Sequence, residues 1–581
     1  MKKFIHTLTV ALVVSTCAVA QGLSESKNML EAGTRHAKAI MQNSRVADVK
    51  APAGKAAHRL PTPTGTADDI IYEPDGVRSD NLVREDVSYF NIGGELYLDN
   101  VTGVVSHYVV SADGNSIYMR PISTWNAGGY IRLDRQADGT YTAHTPQIFY
   151  DQDNGDGTHL LVWATRLKLH TYDDGKIWYE PEDNGDGSYN TDMRFTFEDG
   201  VLSQADMTTT GGLPNEILAM TDSEGSWLLY GSGCISISPL ADGDKPAVLP
   251  GDNVQQAAML SYGNIDMSTG GMTVVSKPLV WAVSASEPGA VYVKGLSNTM
   301  PEQWVKGELG GDGGLTFRKQ YLGINQDQKK HLWLMPALYT VDAVPSGGAE
   351  YYIPSYTMAD AVTLEFNAAT QTYRSTENEA LTVSMLPSRV NYTEAFNSPV
   401  ITLIDDKAAT PAAPADAALQ STTYGYVRMQ FTLSPTDVDG RFIDTGKLYY
   451  RVFIGGDETT PFVFNAGTYH LDEDMTDIPY GFNNGIASIS SYNNSHYFNI
   501  YDPGVTLCGV QSVYKGGGEE RVSDIIWVDM SGTGITSVTA DEAAKVEYYD
   551  LQGRRVSNPA KGIFIKKTTT ADGTKTVKVM K

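Results

Sequence analysis

The chain has 581 residues, and its 69 Asp or Glu against 44 Lys or Arg give a net charge of -25 and a pI of about 4.7. Such acidity argues against a surface for phosphate groups, so a nucleic-acid partner is excluded. A chain of this length is too long for a single hydrophobic core, so three or four domains are predicted. Its 33 Tyr and 56 Gly favour strands and tight turns over long helices.

The first twenty residues carry the parts of a bacterial signal peptide. A basic start, a short apolar run and a small-x-small cleavage pattern follow one another at Lys2-Lys3, 8–14 and Ala18-Val19-Ala20. We therefore predict that cleavage between Ala20 and Gln21 removes residues 1–20. The alternatives are a buried N-terminal element, or lipidation at Cys17, which the size of Thr16 before it disfavours. No later run approaches the roughly 20 apolar residues of a transmembrane helix, so no transmembrane segment is predicted.

Residues 21–65 are predicted to form a short N-terminal helix and a linker. Apolar residues recur at roughly helical spacing between 24 and 42, at Met29, Leu30, Ala37, Ile40 and Met41. The stretch from 49 to 68 is rich in Ala, Pro and Gly, which is typical of a tether rather than of packed structure.

From residue 66 the sequence changes to short β-branched or aromatic segments bounded by Gly, Asp and Asn. Two-residue hairpin turns of the primed types need positive φ angles, which Asp-Gly pairs supply at the least steric cost. Such pairs recur at 113–114, 138–139, 174–175, 199–200 and 439–440. The pattern predicts an all-β fold of tandem β-sandwich-like domains, with a short N-terminal helix and a small C-terminal β-domain.

An internal repeat divides the next part of the chain. Residues 116–123 align with 290–297, residues 147–149 with 320–322, His159-Leu160 with His331-Leu332, and Trp163 with Trp333. The offsets are 174, 173, 172 and 170 residues, drifting as loop deletions would make them. A Trp also follows the first match in each half, at Trp125 and Trp304. We predict two related β-domains at 66–250 and 251–404; the alternative is that turn-rich β-sequence resembles itself by chance.

A third β-domain is predicted beyond a second linker. An Ala- and Pro-rich stretch at 408–415 lies within the predicted linker 405–421, and strand-like segments then fill the predicted sandwich domain 422–529. Residues 530–544 are predicted to be a further linker, which precedes the last segment.

That last segment, 545–581, reverses the charge of the chain. It holds nine Lys or Arg against three Asp or Glu, a local charge of +6. Its strand-like sequence includes Tyr549-Asp550-Leu551-Gln552-Gly553-Arg554-Arg555-Val556, then Lys561-Gly562-Ile563-Phe564-Ile565, then an alternating Lys/Val end at 575–579. These elements, in this order, resemble the C-terminal sorting domain of type IX (Por) secretion substrates in Bacteroidota.

The resemblance implies passage through the outer-membrane secretion machinery, followed by attachment to the cell surface or release. Upstream segments such as Ile71-Tyr72-Glu73-Pro74-Asp75-Gly76 and Gln303-Trp304-Val305-Lys306-Gly307 are similar to those of secreted proteins of Prevotella and Bacteroides. That second resemblance implies no activity, so it assigns no catalytic residue. The expected localisation is the outer cell surface or the medium, with the periplasm in transit.

An oxygen-rich pattern, Asp-Asn-Gly-Asp-Gly, occurs twice, at 153–157 and 183–187. Oxygen ligands suit Ca²⁺, which makes calcium candidates of Asp151, Asp153, Asp156, Asp183 and Asp186. The spacing departs from an EF-hand loop, because Gly155 stands where the third ligand belongs and no Glu follows at the twelfth position. Asn-Gly and Asp-Gly turns explain the same residues, and no other cofactor is expected.

The sequence leaves two classes of function open. No zinc-protease, nucleophile-elbow, phosphate-loop or dinucleotide motif occurs in the sequence. His159 and His331 occupy matching positions of the repeat, where they are either parts of a shared site or structural residues. Trp125 and Trp304 are candidate ligand-binding residues, because aromatic faces pack on the apolar faces of glycans, although strands favour aromatic residues anyway. We expect a secreted or surface-displayed binding, adhesion or envelope protein with a glycan or protein ligand. The alternative is an exported hydrolase acting on polysaccharide or peptide.

Overall fold

The protein is a β-protein throughout the part of the chain that the structure describes. This computed structural model describes residues 45–47, 49–50, 63–92, 95–123, 128–153, 158–173, 175–346, 349–422 and 424–530, and strands between 545 and 580. Strands account for 57% of the chain and helical residues for 2%, which confirms the all-β prediction.

Within the described residues, helical structure is limited to short pieces. They are two 3-10 turns at Ala67–Asp69 and Thr445–Lys447 and one α-helix, α1 at Ala466–Tyr469. The predicted N-terminal helix and the cleavage site at Ala20 and Gln21 lie outside the described residues. The chain divides into two compact units, residues 1–255 with 260–402 and residues 256–259 with 403–581.

The first half of the larger unit contains strands β1 to β17. Their bounds are β1 Arg45–Val46, β2 Val77–Ile92, β3 Glu95–Val110, β4 Ser116–Met119, β5 Ile131–Arg135, β6 Tyr141–His144, β7 Gln147–Asp153, β8 His159–Thr171, β9 Ile177–Glu180, β10 Glu182–Asp183, β11 Tyr189–Asn190, β12 Asp192–Glu198, β13 Val201–Gln204, β14 Thr209–Thr210, β15 Leu213–Pro214, β16 Glu216–Thr221 and β17 Trp227–Ser238.

Eight of these strands close into an antiparallel ring. Each pairs with the next in the order β2, β3, β4, β5, β6, β12, β13 and β17, and β17 pairs again with β2. Each of the eight therefore has a hydrogen-bonded neighbour on both sides, which protects it from edge-to-edge association. Strands β16 and β8 continue outward from β17, and β8 also pairs with β7 and β9. Alternate side chains fill the core, among them Ile117, Leu133, Phe195, Leu202 and Ile237.

The second half of the larger unit contains strands β18 to β29. Their bounds are β18 Asn253–Ile265, β19 Met272–Ser284, β20 Ala290–Lys294, β21 Trp304–Leu309, β22 Leu315–Arg318, β23 Gln320–Asn325, β24 Lys330–Ser346, β25 Ala349–Met358, β26 Ala361–Asn367, β27 Thr372–Arg374, β28 Glu379–Ser384 and β29 Tyr392–Leu403.

This second half repeats the strand order of the first. Strands β19, β20, β21, β22, β26, β27 and β29 pair in succession as β3, β4, β5, β6, β12, β13 and β17 do. Strands β28 and β24 then continue from β29, and β24 also pairs with β23 and β25. The four sequence matches fall on equivalent strands: β4 with β20, β7 with β23, and β8 with β24. One pairing between β24 and β3, Lys330 with Val104, joins the two halves.

The repeat extends to individual side-chain hydrogen bonds. Gln147 accepts a hydrogen bond from the backbone N of Arg132 and donates one to its backbone O, each at 2.8 Å. Gln320 makes the same two hydrogen bonds to the backbone of Lys306, again at 2.8 Å. Each glutamine side chain thus bonds a backbone N–H and C=O of β5 or β21 that would otherwise need a neighbouring strand as partner.

The smaller unit contains a two-sheet sandwich. Its strands are β30 Ala415–Ser421, β31 Val427–Thr432, β32 Leu448–Ile454, β33 Asp477–Pro479, β34 Ile489–Tyr492, β35 Ser495–Ile500, β36 Leu507–Tyr514, β37 Arg521–Val522 and β38 Ile526–Asp529. One sheet has the order β30, β31, β35, β34; in the other β32 lies between β33 and β36, and β36 also pairs with β37 and β38. Their inner faces meet in a core that includes Met429, Phe431, Tyr450, Phe498 and Val510.

Part of the predicted linker 405–421 is strand, which corrects the sequence interpretation. Residues Ala415–Ser421 form β30, where Leu419 pairs with Met429 of β31. Ala417 is buried and Leu419 packs against the core, so apolar burial holds the segment as well as backbone hydrogen bonds. The Ala-rich composition suggested a tether because small residues suit both a linker and a closely packed edge strand.

The last segment has a sheet of its own. Its strands are β39 Lys545–Tyr549, β40 Arg555–Val556, β41 Ile563–Thr570 and β42 Gly573–Met580, in the order β40, β39, β41, β42. Pairing is antiparallel, and β41 and β42 form a hairpin in which Ile563 lies opposite Met580. Within the described residues, these four strands pair only with one another.

Candidate functional site

The predicted calcium residues do not form one site in the described part of the chain. Asp183 accepts a hydrogen bond from Gly185 N at 2.7 Å, and Asp186 accepts one from Ser188 N at 2.9 Å. Both carboxylates therefore stabilise the turn between β10 and β11, as the turn interpretation predicts.

The other calcium candidates lie around β7. Asp151 is hydrogen-bonded to Nδ1 of His159 at 2.9 Å, and this contact raises the pKa of His159. Asp153 is exposed at the end of β7, and Asp156 lies outside the described residues. Among the described residues, no group of three or more His, Cys, Asp or Glu side chains is placed to hold a metal ion.

Trp304 occupies a position that recurs in the other half. It is half-buried against Tyr292, and Nζ of Lys294 lies 5.7 Å from its ring centroid. In the first half, Arg120 lies 5.4 Å from the ring of Tyr130 in the same arrangement. Tyr130, not Trp125, is therefore the structural counterpart of Trp304, and both aromatic rings belong to a repeated cation–π pair. Trp125 lies outside the described residues.

The two histidines aligned in the sequence are not equivalent in the structure. Trp163 pairs with Ile148, and Trp333 pairs with Tyr321, which places Leu161 and not His159 at the position of His331. His331 is fully buried, its Nδ1 lies 2.7 Å from the hydroxyl of Tyr321, and burial lowers its pKa. The interpretation of a shared histidine site is wrong, and the structural alternative holds for His331.

Three imidazole–carboxylate pairs bear on the hydrolase alternative. They join neighbours on adjacent strands, and the histidine side chains are 55%, 52% and 53% exposed in His144–Asp192, His159–Asp151 and His170–Glu180. Each has the form of a cross-strand surface pair. A cavity of about 280 Å³ lies in the other half of the unit, between the segments 299–303 and 324–327, away from these three pairs.

An aromatic surface occurs on the smaller unit, on the outward face of β31 and β35. Strand alternation directs Val427, Met429 and Phe431 into the core, so the residues between them point outward. In β35 the side chain of Phe498 is likewise buried while Tyr497 is half-buried on the opposite face.

Tyrosine rings lie next to one another at one end of this face. The rings of Tyr424 and Tyr426 are stacked, with centroids 6.3 Å apart and planes 15° apart. Tyr501 meets Tyr426 edge-on at 5.9 Å. Tyr424 is 83% exposed and Tyr501 46%, and at the other end of the sheet Tyr492 is 79% exposed. Such exposure leaves these rings available to a ligand.

Arg428 lies among the rings. Its guanidinium carbon is 4.3 Å from the ring centroid of Tyr497 and 5.8 Å from that of Tyr426. Its Nε donates a hydrogen bond to Oδ1 of Asn499 at 2.9 Å, across the directly paired position of β31 and β35. The cation–π contacts and the hydrogen bond together restrict the orientation of the guanidinium group.

We call this surface the tyrosine–arginine face; it comprises Tyr424, Tyr426, Arg428, Gln430, Tyr492, Tyr497 and Tyr501, and the buried Asn499 supports Arg428 through its hydrogen bond. It offers flat apolar ring surfaces beside the hydrogen-bonding groups of Arg428 and Gln430. Sequence reasoning missed it, although the alternation Tyr424-Gly425-Tyr426-Val427-Arg428 was a visible signal. Within the described residues, no helix has the length and apolar character needed to cross a bilayer. The chain matches no known protein-family model, and no curated protein is significantly similar to it.

Proposed function

We propose that this protein is an exported, non-catalytic glycan-binding protein and that the tyrosine–arginine face is its binding surface. The observation that supports the proposal is the stacked pair of Tyr424 and Tyr426, exposed to solvent beside Arg428. Aromatic rings pack on the apolar faces of sugars, while amide and guanidinium groups hydrogen-bond to their hydroxyls. A flat face with these groups suits a polymer chain that lies across the sheet.

A purely structural role explains the exposed tyrosines poorly. Tyr424 and Tyr492 are 83% and 79% exposed, so they bury little apolar surface and contribute little to the core. Tyr and Arg are also enriched among the residues that dominate binding energy at recognition surfaces, because Tyr combines large contact area with few rotatable bonds and Arg presents a planar group with fixed hydrogen-bond donors. These properties favour ligand binding over a contribution to stability.

Export and surface display belong to the same proposal. The predicted signal peptide 1–20 and the sorting-like segment 545–581 direct the chain to the outside of the cell, where a glycan ligand is accessible. In this proposal the segment 545–581 binds the outer-membrane secretion machinery. Intact-mass analysis of exported protein tests the first step: a mature N-terminus at Gln21 is expected, and retention of residues 1–20 or a lipid on Cys17 would contradict it.

The binding experiment uses the full mature chain. Affinity electrophoresis and calorimetry with a panel of soluble polysaccharides should identify at least one ligand for the wild type. Tyr424→Ala and Tyr492→Ala should each weaken that binding by about tenfold, which corresponds to about 1.4 kcal/mol. Tyr72→Ala is the matched control, because Tyr72 is 55% exposed in the larger unit, outside the face. Equal loss in all three variants, or no ligand in the panel, would refute the proposal.

A further inference from the structure

We infer that the ligand of the tyrosine–arginine face is an acidic polysaccharide, whose carboxylate or sulfate group binds Arg428 while a neighbouring sugar ring packs on the tyrosines. This inference rests on the proposed function and names the chemical class of its ligand. Three properties of the smaller unit support it: the pairing of its basic residues, the hydrogen bonding of one guanidinium group, and the distribution of its carboxylates.

Arg428 differs from the other basic residues of the sandwich in the smaller unit. Between 403 and 530 there are seven Lys or Arg. Six of them form ion pairs with carboxylates: Lys407, Arg441, Lys447, Arg451, Lys515 and Arg521. Arg428 has no carboxylate partner among the described residues, although the unit contains seventeen Asp or Glu over the same range. A cation left unpaired in so acidic a protein is available to an external anion.

The guanidinium of Arg428 is held in a geometry that suits an anion. Its Cζ lies 4.3 Å from the ring centroid of Tyr497, and among the described residues only Nε is hydrogen-bonded, to Asn499. Its two Nη atoms have no hydrogen-bond acceptor among the described residues. Two parallel N–H groups in a fixed plane match the two oxygens of a carboxylate or sulfate, and this bidentate contact is stronger than one to a neutral hydroxyl.

Carboxylates are excluded from the strands that form the face. Residues 417–436 and 478–501 contain no Asp or Glu, and these ranges include β31, β34 and β35. In a chain with a net charge of -25, this is a local break in the negative surface. Carboxylates flank these ranges at Asp416, which accepts a hydrogen bond from Thr432 at 3.4 Å, and at Asp502, which follows Tyr501. An anionic ligand therefore meets the positive charge of Arg428 on strands that carry no acidic residue of their own, which limits repulsion.

The test compares charged and uncharged forms of the same polymers. The probes are polygalacturonic acid against its fully methyl-esterified form, and dextran sulfate against dextran. Binding to the full mature chain is measured by calorimetry at low and at physiological salt. We expect the acidic form of at least one pair to bind ten or more times more tightly than its uncharged form, with affinity falling as salt rises.

Variants locate the charge dependence at Arg428. Arg428→Gln should reduce the affinity for the acidic form to that of the uncharged form, and Arg428→Lys should retain an intermediate affinity because it keeps the charge without the planar fork. Arg441→Gln is the matched control: it removes one positive charge from the same unit at a residue that is 78% exposed and paired with Asp439. It should leave both affinities unchanged.

The outcomes separate this inference from the proposed function. Equal binding of charged and uncharged forms by the wild type overturns the inference and leaves glycan binding intact. An equal loss in Arg428→Gln and Arg441→Gln also overturns it, because the effect would then be one of net charge. Failure of every polymer to bind overturns both proposals. If Arg428→Gln does not fold, Arg428→Lys and the wild-type comparison of charged with uncharged polymers decide the question.

Discussion

The guanidinium carbon of Arg428 lies 4.3 Å from the centroid of the Tyr497 ring, on the solvent side of a sheet whose other face is packed in the core. At a partly exposed site such a cation–π contact is worth about 0.5–1 kcal/mol. Arg428→Gln should therefore lower the free energy of unfolding by about that amount, measured by urea denaturation. Arg441→Gln, which breaks an exposed ion pair, should change it by less. A loss above about 3 kcal/mol would assign Arg428 to the core of the fold and weaken its assignment as a ligand group.

The two equivalent glutamines provide a test of the duplication. Gln147→Leu and Gln320→Leu each remove a pair of hydrogen bonds to the backbone of the neighbouring strand. Each should cost about 1 kcal/mol, because water replaces part of the lost bonding at these half-exposed positions. The double variant should show the sum, since the two sites lie in different halves. Gln326→Leu, at a glutamine with a single hydrogen bond to Lys329, is the control. An effect at only one of the two sites would contradict an equivalent role.

Lys277 should make the unfolding free energy of the larger unit depend on pH in the alkaline range. Its buried amine donates to Leu296 O at 2.5 Å and to Oδ1 of Asn298 at 2.8 Å. Burial lowers the pKa of Lys277 to about 8, and the charge of Glu394 opposes part of that shift. An unfolded lysine has a pKa of roughly 10.4, so between these values the unfolded state binds more protons and stability rises with pH.

The expected gain from Lys277 is about 2 kcal/mol between pH 8 and pH 10. Lys277→Met should lack this rise, so the difference in unfolding free energy between the two proteins should change across that window. Comparing the two proteins cancels the contributions of the other titrating groups. Parallel pH profiles for wild type and variant would show that the amine is already exposed to water in the folded protein.

Removal of residues 545–581 tests the autonomy of the tail. Its four strands pair with one another, and its charge of +6 opposes that of the chain, so the remaining domains should keep their melting temperature within a few degrees. Under the export proposal, the truncated protein should remain in the periplasm, as protease shaving and cell fractionation would show. Truncated protein at the surface at wild-type levels would mean that the resemblance to a sorting domain is misleading.

Local sequence pattern was enough to predict the fold class, because strand and turn preferences are set by neighbouring residues. Asp-Gly pairs and β-branched or aromatic segments indicated the strands, and the matches around Tyr118 and Tyr292 indicated a repeat that the strand pairing also contains. The turn at 183–187 was likewise open to prediction, since its carboxylates hydrogen-bond to backbone N–H groups two residues away.

Partners that are distant in sequence could be assigned only by the folded chain. His159 and His331 align in sequence, yet the strand register places them in different environments. The pairing of Arg428 with Asn499 joins residues 71 positions apart. Whether an aromatic residue is exposed depends on whether its face of the sheet packs against the core or faces solvent. That choice is set by packing between strands that are far apart in the chain. For that reason Tyr424 and Arg428 emerge as a candidate site from the structure, whereas the strand that holds Arg428 could be predicted from the sequence.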